Sequence, residues 1–230
     1  MEYKKIQAII FDFDGVVFDS EALHLAAGNK ALEPYNVYIE PKVYIEKYIG
    51  ISDIEVFPKI LMDYQMAPDQ HLVSELVKQK RHHYFDFLKN KTAFESVKGL
   101  EDFLKKIIST INHIAICSNA NKSEIQEALQ KLNEGRLNPY FKFITAIDEL
   151  HHGKPSPEGY LLTAKLLGID PQGCLVFEDT PIGIRAAKAA GMTVIGLSTT
   201  HLKEKLSEAD AVFEHFSDPA LSKFFDHLKL

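Results

Sequence analysis

Apolar and polar positions follow two different rhythms along this chain, and the change between them divides it. The chain opens on an apolar run, Ile9-Ile10-Phe11-Asp12-Phe13-Asp14-Gly15-Val16-Val17, interrupted by two carboxylates one residue apart. A short, nearly continuous apolar run of this kind predicts a buried strand. From there to residue 92 apolar residues recur at helical spacing, and Pro34, Pro41, Pro58 and Pro68 punctuate the segment into short helices. The longest, over residues 69–88, sets Leu72, Leu76, Val77, Tyr84, Phe87 and Leu88 on one stripe. Lys80 falls on that same stripe, where a lysine taken singly extends along the helix edge toward water.

Beyond Gly99 helical and strand patterns alternate. Strands are predicted at 114–117, 143–146, 174–177, 193–197 and 211–213, with helices between them, the signature of a parallel sheet with crossover helices. Asp19-Ser20 reads as the cap of the first helix, Ser156-Pro157 as the start of another ending near Gly168, and Thr180-Pro181 as the start of one closing at Gly191. The predicted fold is α/β, a doubly wound parallel sheet interrupted after its first strand by an all-α insertion.

Composition narrows the functional classes. The 230 residues are 46% hydrophobic and 25% charged, ordinary for a globular chain with a full hydrophobic core. A net charge of −6 gives no basis for a nucleic-acid partner. No apolar run approaches the roughly 20 residues of a membrane span, and Met1-Glu2-Tyr3-Lys4-Lys5 is unlike a signal peptide. A cytoplasmic monomer is the expectation. Cys117 and Cys174 lie within apolar runs without zinc or disulfide spacing, and read as buried thiols.

Sites in doubly wound sheets lie beyond the carboxyl ends of the strands. Four such ends here carry reactive types: Asp12 and Asp14, then Ser118, then Lys154, then Glu178 and Asp179. A turn alone accounts for Asp14-Gly15, but turns favour Asn, Gly and Ser over paired acids and lysine. Several carboxylates with one lysine and one hydroxyl suit Mg²⁺ and phosphate, because Mg²⁺ takes hard oxygen ligands and bridges to phosphate oxygens. In such a site Asp12 can attack phosphorus, while Lys154, the Ser118 hydroxyl and backbone N–H groups near Phe13, Asp14 and Asn119 receive the phosphoryl oxygens. Asp14 can protonate the leaving oxygen and later activate water, provided it starts protonated.

Asp12-x-Asp14-Gly15-Val16, Ser118 after an apolar strand, Gly153-Lys154-Pro155-x-Pro157 and Glu178-Asp179-Thr180-x-x-Gly183 resemble, in order, the four motifs of the haloacid dehalogenase-like hydrolase superfamily. The resemblance implies a Rossmann-like core, residues 1–20 and 93–230, with a mobile helical cap, residues 21–92. It implies Mg²⁺ as cofactor and a phosphoaspartyl intermediate. Asp12 would be the nucleophile and Asp14 the general acid/base, with Ser118 and Lys154 holding the phosphoryl group. The metal would lie on Asp12, the Asp14 carbonyl and Asp179, with Glu178 as a further ligand or a support behind them.

Within the superfamily the chain is most similar to the β-phosphoglucomutase and sugar-phosphate phosphatase group, so a small phosphorylated metabolite is the expected partner. His24 matches a histidine that couples the acid function to cap closure, and Lys80 a cap lysine that reaches substrate. Gly50, in the cap loop, and Asn119, after Ser118, are expected beside the substrate. Two departures stand out. Asp53 replaces a mutase arginine that grips the distal phosphate, and Asn119-Ala120-Asn121 lacks a serine-lysine pair that assists it. Weaker cationic grip on one end favours release and hydrolysis. The expected function is therefore a Mg²⁺-dependent sugar-phosphate phosphatase, with β-phosphoglucomutase as the alternative. A non-catalytic phosphometabolite-binding protein is a third reading, against which stands the full set of motif residues. His82-His83 and His151-His152 read as solvated pairs, Phe141, Phe143, Phe224 and Phe225 as packing aromatics, and Gly183 as a site of close backbone approach.

Overall fold

A computed structural model describes residues 5–90 and 94–227 of the chain. The first residues of the chain and the expected boundary at 92–93 lie outside the described residues. Six strands form one all-parallel sheet: β1 (Ala8–Phe11), β2 (His113–Cys117), β3 (Phe143–Thr145), β4 (Cys174–Glu178), β5 (Thr193–Leu197) and β6 (Ala211–Phe213). Their order is β3-β2-β1-β4-β5-β6, the Rossmann-like arrangement, in which the chain reverses direction of travel across the sheet beside β1. β1 and β4 are buried along their whole length, which is why they read as unbroken apolar runs.

Alternate β1 residues serve opposite layers. Ile9 and Phe11 face a core built with α5 (Leu100–Ile107), α6 (Lys122–Lys131) and α9 (Pro219–His227), whereas Ala8 and Ile10 face α7 (Glu158–Leu167) and α8 (Pro181–Ala189). Phe11 stacks on Phe177 with centroids 5.2 Å apart, and Phe103, Phe216 and Phe225 pack around them. Register pairs Phe11 with both Ile116 and Phe177, so the residues that follow, Asp12, Cys117 and Glu178, come level.

Four helices follow β1: α1 (Glu21–Leu32), α2 (Pro41–Lys47), α3 (Asp53–Asp63) and α4 (Gln70–Lys89). They enclose a separate core of Leu32, Val56, Phe57, Ile60, Leu61, Val73 and Leu76. The last turns of α4 belong elsewhere, because Tyr84 and Leu88 join the core of the sheet layer. Outgoing and returning chains run side by side, with Phe18 bridged antiparallel to Ser96 and the Val97 N–H donating to the Val17 carbonyl at 3.1 Å. Among the described residues no helix is long and apolar enough to cross a membrane.

Several local expectations are corrected. Pro58 lies inside α3 rather than between helices; the buried neighbours Phe57, Ile60 and Leu61 hold the helix through the missing N–H. Ser20 stands at the α1 N-cap, but its hydroxyl donates to Asp14 instead of capping. α7 starts one residue late, capped at Pro157, with the Ser156 hydroxyl accepting from the Glu158 N–H at 3.3 Å. Phe143 is 37% exposed, because it is the first residue of the short edge strand β3. Cys117 and Cys174 are buried free thiols, as expected.

Candidate active site

All four expected strand ends meet at one end of the sheet. Asp12, the first residue beyond β1, accepts from the Lys154 ammonium at 2.5 Å. Lys154 also donates to Glu178 at 2.7 Å and lies 5.0 Å from the centre of the Tyr160 ring. All three ionic groups are buried. Burial lifts the Asp12 carboxyl; the Lys154 charge opposes this, Glu178 and Asp14 add to it, and the net shift is well upward. For Lys154 burial works downward, and the attraction of Asp12 and Glu178 outweighs it.

Glu178 is fully occupied. One oxygen accepts from Lys154 and from the Tyr160 hydroxyl, each at 2.7 Å. The other accepts from the Asp179 and Thr180 N–H groups and the Thr180 hydroxyl, at 3.1, 3.2 and 3.1 Å. Space for its carboxylate exists because residue 183 is glycine: a Cβ there would fall on the Glu178 carboxylate.

Asp179 is the opposite case. Its side chain is fully buried, and neither carboxylate oxygen meets a hydrogen-bond partner. Burial, then the charges of Asp12 and Glu178, push its carboxyl well above the usual range. Buried acceptors left without donors are rare in folded proteins. Ligand oxygens of Asp12, Glu178 and Asp179 all lie within 4.8 Å of one another, so this acid cluster suits a hard divalent cation. The Asp14-Gly15 loop lies directly against it: Gly15 has φ +75°, and a Cβ there would crowd Asp179 and come within 2.6 Å of the Thr200 hydroxyl.

Asp14 is held by α1. It accepts from the Ser20 hydroxyl and lies 3.0 Å from His24 Nε2, whose ring stacks on Tyr84 at 4.5 Å. Burial raises the Asp14 carboxyl, but the His24 charge and the bonds from His24 and Ser20 outweigh it, leaving the net shift downward. Burial and the Lys80 charge depress His24, and Asp14 and Glu21 more than compensate. In this arrangement Asp14 is held in its ionised form beside His24 Nε2, while His24 Nδ1 is buried without a partner.

The remaining expected residues line the same cavity, with one change of role. Ser118 is buried and accepts from the Ala120 N–H at 3.0 Å. Asn119 links two parts of the chain: its amide donates to the Gly50 carbonyl at 3.1 Å, while its oxygen accepts from the Lys154 N–H at 2.9 Å. Lys80 does not extend to water. It is buried and bonds both oxygens of Asp53, at 2.7 and 2.8 Å. The helical stripe turns it inward, and Asp53 at the start of α3 meets it there.

Sequence reasoning missed Ser20, Glu21, Tyr44, Glu124 and Tyr160. Glu21 accepts from the Tyr44 hydroxyl at 3.0 Å, and burial takes its carboxyl up to about 7. Asn121-x-x-Glu124 has the spacing of a capping box, a signal that directs Glu124 to its own helix end. The Asn121 side chain makes no cap bond, and Glu124 faces the cavity instead.

The cavity measures about 60 Å³, room for a few water molecules and too small for a sugar phosphate. A larger groove of about 850 Å³ lies outside it, between α1 and α2; it shares Glu21 and Tyr44 with the site but none of the strand-end residues.

Residues 9–197 match the haloacid dehalogenase-like hydrolase family. The chain belongs to that family. Among family members, the phosphorylated carbohydrates phosphatase of Thermotoga maritima is 30% identical over 193 residues, covering 81% of this chain and 82% of that protein. The fructose-1-phosphate phosphatase of Escherichia coli is 30% identical over 194 residues, covering 84% and 97%. The crystal structure of β-phosphoglucomutase from Clostridium difficile superposes with a TM-score of 0.85 at 26% identity, over 96% of each chain. The hydrolase fold and the inserted helical layer are thus shared across nearly the whole chain.

Proposed function

We propose that this hydrolase is a Mg²⁺-dependent phosphatase of small phosphorylated metabolites, sugar phosphates above all, acting through a phosphoaspartate on Asp12. The observation that carries this reading is the pairing of Asp12 and Lys154 next to Asp179, whose two buried oxygens have no partner. Asp12, Asp179 and the Asp14 carbonyl would hold Mg²⁺, which when bound supplies positive charge to neutralise the carboxylates and the phosphoryl oxygens. Glu178, with every lone-pair direction engaged, supports Lys154 and the Asp179 loop rather than the metal.

In the first half-reaction an Asp12 oxygen bonds phosphorus, the ester P–O bond breaks, and the leaving oxygen takes a proton from Asp14. In the second, Asp14 removes a proton from water as that water attacks the phosphoaspartate, releasing inorganic phosphate and restoring Asp12. Lys154 and the Ser118 hydroxyl orient the phosphoryl oxygens throughout. With His24 and Ser20 on it, Asp14 is in the base form; to start as acid it must leave them. Residues 21–92 would act as a cap whose movement carries α1, and with it His24, away from Asp14, and shifts the chain at Ser20 next to the cap boundary. Opening is also what admits substrate to so small a cavity.

Hydrolysis is favoured over a mutase by the charges at the cavity wall. Lys80 and Lys154 are its lysines, and each is already matched to a carboxylate, while His24 lies against Asp14. A mutase must hold a second phosphate, and no lining cation is free to do so. The likeness to β-phosphoglucomutase, with Lys80 and His24 in place, keeps that activity as the second reading.

The test is phosphate release from sugar monophosphates. Wild type should need Mg²⁺, and Asp12→Asn should lose at least about a thousandfold in kcat. Unchanged turnover in the variant would end the assignment. Supplying β-glucose 1-phosphate with a trace of its bisphosphate separates the alternatives: inorganic phosphate identifies the phosphatase, glucose 6-phosphate the mutase.

A further inference from the structure

Three acids that line the cavity, Glu21, Asp53 and Glu124, take no role in the phosphoryl transfer proposed above. Glu124 stands in the first turn of α6, is 2% exposed, lines the cavity with Asp12 and Lys154, and has an Oε1 that meets no hydrogen-bond partner. A buried acceptor without a donor is costly, and on the wall of a ligand cavity the ligand can supply the missing donor. α6 follows directly on the Ser118 loop, so Glu124 keeps its place relative to Asp12 when the cap moves.

Its neighbours define what can occupy the space beside it. The Lys80 ammonium is engaged by both oxygens of Asp53, and Glu21 accepts from Tyr44. A second phosphate or a carboxylate placed there would face the oxygens of Glu124, Glu21 and Asp53 with no free cation. A hydroxyl group would donate straight to Glu124.

We propose that Glu124 is a specificity-determining residue: its unpartnered Oε1 accepts a hydrogen bond from a hydroxyl on the non-transferred end of a sugar or polyol monophosphate, and with Asp53 it rejects substrates anionic at that end. The assignment rests on the phosphatase reading above. An ammonium group offers the same donor chemistry, so an amino sugar phosphate forms a separate arm of the test.

The experiment measures kcat and KM of the full-length protein with Mg²⁺ on glucose 6-phosphate, fructose 1-phosphate, glucosamine 6-phosphate, fructose 1,6-bisphosphate and 6-phosphogluconate. p-Nitrophenyl phosphate, which has no hydroxyl tail, is the reference. Wild type should prefer a hydroxylated monophosphate to the bisphosphate and the acid by at least about tenfold. Glu124→Ala should reduce the ratio of sugar-phosphate to aryl-phosphate kcat/KM by about ten- to a hundredfold, mainly through KM, and Glu124→Gln, which keeps an acceptor oxygen, by less. A larger loss for glucosamine 6-phosphate than for glucose 6-phosphate would support the assignment with ammonium as the donor. An unchanged ratio, with both substrates losing equally, would assign Glu124 to structure and overturn the proposal, as would wild-type preference for the bisphosphate. Failure of wild type to hydrolyse any phosphate ester, the aryl phosphate included, would instead overturn the phosphatase reading itself.

Discussion

Gly183 and Glu178 show how closely single atoms set this site. Replacing a helical glycine by alanine ordinarily stabilises a protein by up to about 1 kcal/mol, because alanine loses less backbone freedom on folding. At position 183 the sign reverses, since the added Cβ would fall on the Glu178 carboxylate. Gly183→Ala should destabilise by about 1–3 kcal/mol, and should lower kcat by displacing one of the two acids that hold Lys154. Urea unfolding with steady-state turnover checks both; a more stable variant of full activity would refute the packing. Which reactive residues stand at the strand ends was legible before the structure, because the apolar runs that precede them mark where each strand stops. Partners were not. Ser20, read as a helix cap, bonds Asp14, and Lys80, expected to reach substrate, lines the cavity but is bonded to Asp53. In each case the side chain's own element sets its direction, but a distant element supplies what it meets.

Elements were the most legible scale. The five later strands and the helices between them stand within a residue or two of their sequence pattern, since hydrophobic period and capping chemistry are local, whereas β1 stops at Phe11 although its apolar run continues to Val17. Among the inserted helices Pro58 is the exception, because burial of its neighbours outweighs the lost N–H. How elements are fastened together was less visible. Glu101, in the first turn of α5, pairs with Lys105 at 2.8 Å, accepts from the Asn133 amide at 2.6 Å and meets Arg136 at 3.3 Å, tying α5 to the turn after α6. Hydrogen bonds from Lys105, Asn133 and Arg136, in that order, draw its carboxyl from the ordinary 4.5 down to about 2. A carboxyl depressed by folding stabilises fully above its unfolded value and loses that contribution as pH falls through the folded one. Glu101→Gln should therefore lower the urea midpoint at pH 7, and the gap from wild type should narrow between about pH 4.5 and 2. A gap that stays constant with pH would show that Glu101 adds no pH-linked stability.

At the scale of the whole molecule the helical layer is closed over the strand ends, and Asn119 spans the two through Gly50 and Lys154. Asn119→Ala removes both bonds. The ligand-free variant should have a larger radius of gyration in small-angle scattering and a KM raised about fivefold, the equivalent of one net hydrogen bond. An unchanged radius and KM would show that Asn119 does not hold the closed form. What the sequence by itself determined is the order of strands and helices, the insertion after β1 and the residues delivered to the strand ends, since these follow from local periodicity and from the parallel sheet it implies. Only the tertiary structure decided that Glu178 is saturated while Asp179 is not, that Asp14 is ionised against His24, that Glu124 faces the cavity and that every lining cation is already paired. Those outcomes depend on contacts between residues as much as 142 positions apart, as Asp12 and Lys154 are. Charge pairing and burial act through space, so they exist only once packing has brought the helix faces together.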